Sequence, residues 1–288
     1  MLKLNRAWST TQTRATPLPE VWKTFTAKEI KFRRGQVCMI AAAPNAGKSM
    51  LALIYAIKAG VRTLFFSADT DATTVTMRVA AAVSQHAQNI VEQNLEKNPN
   101  YYDEELARVT NIEWVFDSSP TLDDMELEIK AYVELYGVMP ELIIVDNLMN
   151  VVTDSENEWA ALRSIMVELH DMARKTESCV LVLHHVSEAS EYGSPTLPPP
   201  RRSIHGKVSQ LPSIILTLGY DPIQSTLRVA AVKNRFGKHS ADGTDMGALF
   251  VNFSTCQIYD ADAQGRAIRR DAVYAYNRAN YTKDPDDF

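Results

Sequence analysis

The residues best suited to chemistry form one short stretch, Ala42-Ala43-Pro44-Asn45-Ala46-Gly47-Lys48-Ser49. It follows the apolar run Val37–Ala43 and opens the helical pattern Ser49–Ala59. A loop between a strand and a helix aims backbone N–H groups and the helix N-terminus at one point, which suits an anionic phosphate. A lysine in such a loop reaches the outer phosphates of a nucleotide, and the serine after it ligates Mg²⁺. Lys48 and Ser49 hold those places, so ATP with Mg²⁺ is the expected ligand, cradled by Ala43, Pro44, Asn45, Ala46, Gly47 and Met50. Such loops usually begin with glycine, and this one begins with Ala42.

Other candidates lie downstream. Asp146 ends the apolar run Leu142–Asp146, and a strand-end carboxylate beside a phosphate loop can join Ser49 in holding Mg²⁺. Asp69 and Asp71 follow the run Thr63–Ser67. Together with Asp146 they could also hold a metal for phosphodiester cleavage, although ATP and Mg²⁺ already account for them. His184 and His185 end the run Val180–His185, and strand neighbours face opposite ways, so one of the two points away from any shared site. Lys233 and Arg235 are two apart on a strand pattern and share a face. The net charge is −5, so nucleic-acid contact requires a local basic patch. Arg201, Arg202 and Lys207 form one, in a segment expected to be flexible, and its phosphate contacts would weaken with salt.

These side chains need a scaffold. Strand patterns at 37–43, 63–67, 112–117, 142–146 and 180–185 alternate with helical patterns at 49–59, 72–96, 122–136 and 156–175. That alternation predicts a mostly parallel sheet covered by helices on both faces. From Ser213 the runs 214–218, 226–233 and 248–253 have short polar connections and predict an antiparallel extension at one edge. Ser155-Glu156-Asn157-Glu158 has the form of a capping box for the fourth helix. Residues 1–30 read as an arm or linker, 31–260 as the ATPase domain and 261–288 as a C-terminal arm. The proline-rich segment Ser194–Arg202 reads as a mobile loop. The length supports one large core, and 45% hydrophobic with 23% charged residues is ordinary for a globular protein. Cys38, Cys179 and Cys256 are far apart and odd in number, which suits free thiols in a reducing compartment. The chain has no apolar run of transmembrane length and no apolar leader, so a cytoplasmic protein, host-cytoplasmic if viral, with no membrane contact is expected.

From Gly35 to Phe253 the chain resembles the C-terminal ATPase domain of DnaB-type replicative helicases, a RecA-like family. The phosphate loop without its first glycine is one point of likeness. The others, in order, are Leu64–Thr70 with Met77-Arg78 beyond it, the Walker B-like Leu142–Asp146, Val180–His185, Gly206–Gln210 with Ile214-Ile215, and Val232-Lys233-Asn234-Arg235-Phe236-Gly237. The resemblance implies a RecA-like α/β fold and a ring-forming, ATP-dependent helicase or translocase on single-stranded or forked DNA, in replication or repair. It implies that Asp69 stands where the family has a water-activating glutamate, and that His185 stands where it has a γ-phosphate-sensing glutamine. It implies that Lys233 and Arg235 reach the nucleotide of the neighbouring subunit in a homo-oligomer, expected to be hexameric, and that Arg201, Arg202 and Lys207 line a DNA channel. Rival readings are a recombinase-like or regulatory DNA-dependent ATPase that does not unwind, a binding protein with vestigial ATPase activity, and a metal-dependent structure-specific nuclease. No region resembles the family's helical N-terminal domain, so the primase-contacting collar is expected to be absent. Trp8 and Trp22 are expected to lie on an adjacent subunit, and the acidic tip Asp284–Phe288 to contact a replication protein.

Overall fold

The apolar runs form strands covered on both sides. Every residue is buried in β1 (Val37–Ala42), β2 (Thr63–Ser67) and β4 (Leu142–Asp146), as parallel strands between two helical layers require. The computed structural model describes residues 16–155, 157–186 and 194–267. With β3 (Ile112–Val115), β5 (Cys179–His185), β6 (Ile214–Asp221), β7 (Thr226–Asn234), β8 (Met246–Asn252) and β9 (Gln257–Asp260), they make one nine-stranded sheet in the order β3-β2-β4-β5-β1-β6-β7-β8-β9. Pairing is parallel from β3 to β6 and antiparallel from β6 to β9, as the sequence predicts. β9 lies beyond the strand patterns of the sequence.

The lead-in with α1 (Lys23–Ala27) packs on one face beside α2 (Lys48–Ala59), α3 (Ala72–Ser84) and α4 (Gln88–Lys97), followed by the short α5 (Asp103–Leu106). α6 (Leu122–Tyr136) and α7 (Glu158–Thr176) cover the other face. Ala42 pairs with His185 on one side and Leu218 on the other, and Ser67 pairs with Asp146. The carboxyl ends of β1, β2, β4 and β5 therefore meet along one edge, where open α/β sheets bind ligands.

Several local expectations change. The helix expected over 72–96 is two helices, broken at Gln85, which has φ +62°. No glycine or proline marks the break. The following turn is held by tertiary bonds instead: His86 Nδ1 to the Tyr102 hydroxyl (2.8 Å), and Gln88 N–H donating to the Ser254 carbonyl (2.8 Å). Asn157, not Ser155, caps α7, its Oδ1 accepting from the N–H of Trp159 (3.0 Å) and Ala160 (3.1 Å). The prolines Pro198–Pro200 are buried rather than looping freely, and the Leu197 backbone crosses so close to Gly219 that a Cβ there would sit 2.3 Å from it.

Trp22 lies within its own chain's core at 2% exposure, not on a neighbour. It meets Phe25 edge-on at 5.0 Å and donates its indole N–H to the Ile258 carbonyl of β9 (3.3 Å). Asp260 accepts from the N–H groups of Lys23 and Thr24 at the start of α1 (3.0 and 2.8 Å). The lead-in from residue 16 is thus tied to the last strand. Trp8 and the tip at 284–288 lie outside the described residues.

Candidate active site

A cavity of about 560 Å³ opens at the carboxyl edge of the sheet. Its floor is the phosphate loop, through Pro44, Asn45, Gly47, Lys48, Ser49 and Met50. The loop reverses through two left-handed residues, Asn45 (φ +60°) and Gly47 (φ +89°), where asparagine and glycine are the tolerant types. Ala42 is outside the left-handed region and fully buried in β1, so the position of the missing glycine does not need glycine here. Ala43 and Ala46 face the packing, Ala46 within the core, and do not line the cavity. Lys48 is only 6% exposed at the first turn of α2.

Asp146 faces this lysine and serine. It is 2% exposed, and its Oδ1 is buried without a hydrogen-bond partner. Burial pushes its carboxyl pKa upward, against the opposing pulls of the Ser49 hydroxyl and the Lys48 ammonium. A buried carboxylate oxygen with a free acceptor site is what a cation would satisfy. Ser49 and Asp146 therefore fit Mg²⁺.

β2 and β4 clasp at their ends. The N–H groups of Ala68 and Asp69 both donate to the Asp146 carbonyl (2.8 and 3.1 Å), which carries the Asp69 side chain to the cavity. Asp71 is engaged elsewhere: its carboxylate caps α3, accepting from the Thr74 N–H (3.0 Å) and hydroxyl (2.7 Å). Among the described residues no group of three His, Cys, Asp or Glu side chains is placed to hold a metal.

The two histidines part as strand alternation requires. His185 lines the cavity. Burial, then Lys48, holds its pKa below the usual value, so the ring is neutral at pH 7. Asn147, whose Oδ1 accepts from the Met149 N–H (2.9 Å), turns its Nδ2 toward His185 Nε2 at 3.4 Å. That orientation leaves the ring proton on Nδ1. His184 faces the α7 layer, with Nε2 on the His205 carbonyl (2.9 Å) and Nδ1 buried without a partner. Burial pulls its pKa down to about 4.

Sequence reasoning missed part of the wall. Arg78, from the Met77-Arg78 pair, lines the cavity beside Asp69 and Thr70. Its guanidinium also favours the charged form of Asp146, and the pair itself was the available signal. Gln88, Tyr220, Phe253 and Cys256 close the other side. Tyr220 and Phe253 meet edge-on at 4.9 Å, and Gln88 donates to the Phe253 carbonyl (2.8 Å). They come from α4, from β6 and from the turn between β8 and β9, far apart in sequence, and no motif marks them.

Lys233, Arg235, Arg201 and Arg202 lie away from this cavity. Lys233 Nζ donates to the carbonyls of Ser209 (2.9 Å) and Gln210 (2.6 Å), and Arg235 Nη2 to Gln210 (3.4 Å). The basic segment is compact, not a free loop. It forms 3-10 turns at Arg201–Ser203 and His205–Gln210, which includes Lys207, and it anchors Ile204 and Val208 in the core. His205 Nε2 lies 3.0 Å from Glu158 Oε1 at the start of α7.

A parallel sheet whose first strand feeds a phosphate loop, with a buried carboxylate on another strand, defines a RecA-like P-loop ATPase fold. The chain belongs to the DnaB-like helicase C-terminal domain family, whose model matches residues 23–203. The Gene 65 protein of Mycobacterium phage L5 is 38% identical over 257 residues, covering 85% of this chain and 93% of its own. The Gene 65 protein of Mycobacterium phage D29 is also 38% identical, over 238 residues, covering 78% and 99%. Among solved structures, a DnaB-like replicative helicase, studied for its interactions with primase, superposes with a TM-score of 0.75 at 13% identity, covering 90% of this chain and 65% of that one. The RadB recombinase gives a TM-score of 0.57 at 16% identity, covering 85% and 100%. At those identities the structural likeness speaks for the fold.

Proposed function

We propose that this chain is a ring-forming, ATP-driven DNA helicase or translocase that hydrolyses MgATP between adjacent copies while moving on single-stranded or forked DNA. The observation that carries the reading is Asp146. A buried carboxylate with an unpartnered oxygen, opposite Lys48 and Ser49 at a phosphate loop, is costly unless a cation and a nucleotide arrive. Ser49 and Asp146 would hold Mg²⁺, which supplies charge neutralisation on the phosphates.

This chain's residues would do the rest. The loop N–H groups and the Lys48 ammonium bind the phosphates. Asp69 takes the proton of the attacking water; it is one methylene shorter than glutamate, which makes turnover modest. Neutral His185 donates its Nδ1–H toward the γ-phosphate and reports its departure to Asn147. Among the described residues the hydrogen bonds of Lys233 and Arg235 go to backbone carbonyls and not to carboxylates, so their charges would remain available to the phosphates of a neighbour. Arg202 is exposed, and with Lys207 it would track DNA phosphates in the channel of the ring. The acidic tip at 284–288 is a candidate contact for a replication protein.

The test is turnover of ATP by the whole chain with and without single strands, alongside separation of a labelled forked duplex. Stimulated turnover, with unwinding that stops on a non-hydrolysable analogue, is expected. Stimulated turnover without unwinding would move the chain to the recombinase-like or regulatory reading. Cutting of the fork by Mg²⁺ without ATP would move it to a nuclease.

A further inference from the structure

Arg201 and Arg202 are neighbours in sequence, but the structure separates them. Arg202 is exposed, whereas Arg201 is half-buried and donates Nε–H to Ser209 Oγ (3.4 Å). Ser209 and Gln210 are also where Lys233 and Arg235 are held, through the Ser209 carbonyl (2.9 Å) and the Gln210 carbonyl (2.6 and 3.4 Å). Three cations from two distant segments thus gather on one two-residue hub. Among the described residues none of them has a carboxylate within ion-pair distance. Like charges collected in this way repel, and an anion relieves the repulsion. Lys233 registers the cost: burial first, then Arg235 and Arg201, bring its pKa down to about 8.

We infer that Arg201 joins Lys233 and Arg235 in one three-cation site that binds the terminal phosphates of the ATP held by an adjacent copy of this chain. The inference rests on the intersubunit reading proposed above and adds a residue to it. The nucleotide end concentrates several negative charges at one point, matching three converging cations, while a DNA strand offers one charge per phosphate spread along its length. The Arg201 guanidinium adds a planar donor fork to the point charge of Lys233, which suits phosphate oxygens. Arg202, exposed and without a hydrogen bond to the hub among the described residues, remains with DNA.

Subunit mixing tests this. Arg201→Gln should lose ATP turnover by roughly 10²-fold, while single-strand affinity and its salt slope stay unchanged. Arg201→Lys, which keeps the charge, should retain part of the turnover. Lys48→Ala copies have no working phosphate loop but an intact Arg201. Adding them to Arg201→Gln copies should restore turnover, because their Arg201 meets the intact loop of the other variant. Arg201→Gln that keeps turnover, or loses single-strand affinity and salt slope, overturns the inference. So does a failure of complementation when Arg235→Ala copies are complemented by Lys48→Ala. If neither variant is complemented, the intersubunit reading itself falls, and the inference with it.

Discussion

Asp146 sets the balance between stability and activity at the level of single side chains. Burial raises its pKa, so its ionised form is held at a cost without a cation. Asp146→Asn removes that charge while keeping the shape. Turnover should fall by about 10²–10³-fold, with a melting temperature equal to or above the parent's. A variant that melts lower yet turns over normally would contradict the assignment. Asp69→Asn should also lower turnover but leave ATP binding intact, and near-normal rates would remove Asp69 as the base. His184 contributes to acid stability. Its pKa is about 4 in the fold, against an ordinary 6.5. Between these values the unfolded chain binds the proton and the fold does not, so the His184 contribution to stability is full above pH 6.5 and is lost toward pH 4. The span corresponds to about 3 kcal/mol. Denaturant titrations of His184→Asn across that range should show a flatter decline than the parent.

The phosphate loop is decided at the level of the element. Gly47 starts α2 at φ +89°, and a Cβ there would lie 3.0 Å from Phe253 Cζ. Gly47→Ala must therefore shift either the loop or the ring that walls the cavity. Nucleotide affinity should drop by roughly tenfold or more, read by titration with a fluorescent ATP analogue, and unchanged affinity would mean that the loop tolerates the strain. α7 shows the same logic in a milder form. Its capping oxygen comes from Asn157, two residues beyond the serine that the pattern favoured, because the chain enters the helix after residue 156. The basic segment 201–210 packs against α7 through Ile204, Val208 and the His205–Glu158 contact. Charge composition marked it as a DNA element but not as a packed one.

In the whole molecule, the first and last described parts of the chain close on each other. Trp22, Phe25, Phe32 and Tyr55 form one aromatic cluster, and β9 covers it. Trp22→Ala should destabilise the fold by about 3–5 kcal/mol, seen as a lower urea midpoint. A change under about 1 kcal/mol would return Trp22 to the role of a surface anchor.

The sequence alone determined the strand-and-helix alternation, the parallel sheet with its antiparallel edge, the phosphate loop and the strand-end position of Asp146. Those features are local: a period, a turn residue or a motif of a few neighbours encodes each of them. Only the tertiary structure decided which charges meet. The break at Gln85 depends on Tyr102 and Ser254, and the cavity wall on Tyr220 of β6 and Phe253 of the turn after β8, both far from the loop in sequence. The gathering of Arg201 with Lys233 and Arg235 depends on the Ser209–Gln210 hub, through a hydroxyl and two carbonyls, that no spacing reveals. Burial and long-range hydrogen bonding set these outcomes, and both are properties of the folded chain rather than of any segment of it.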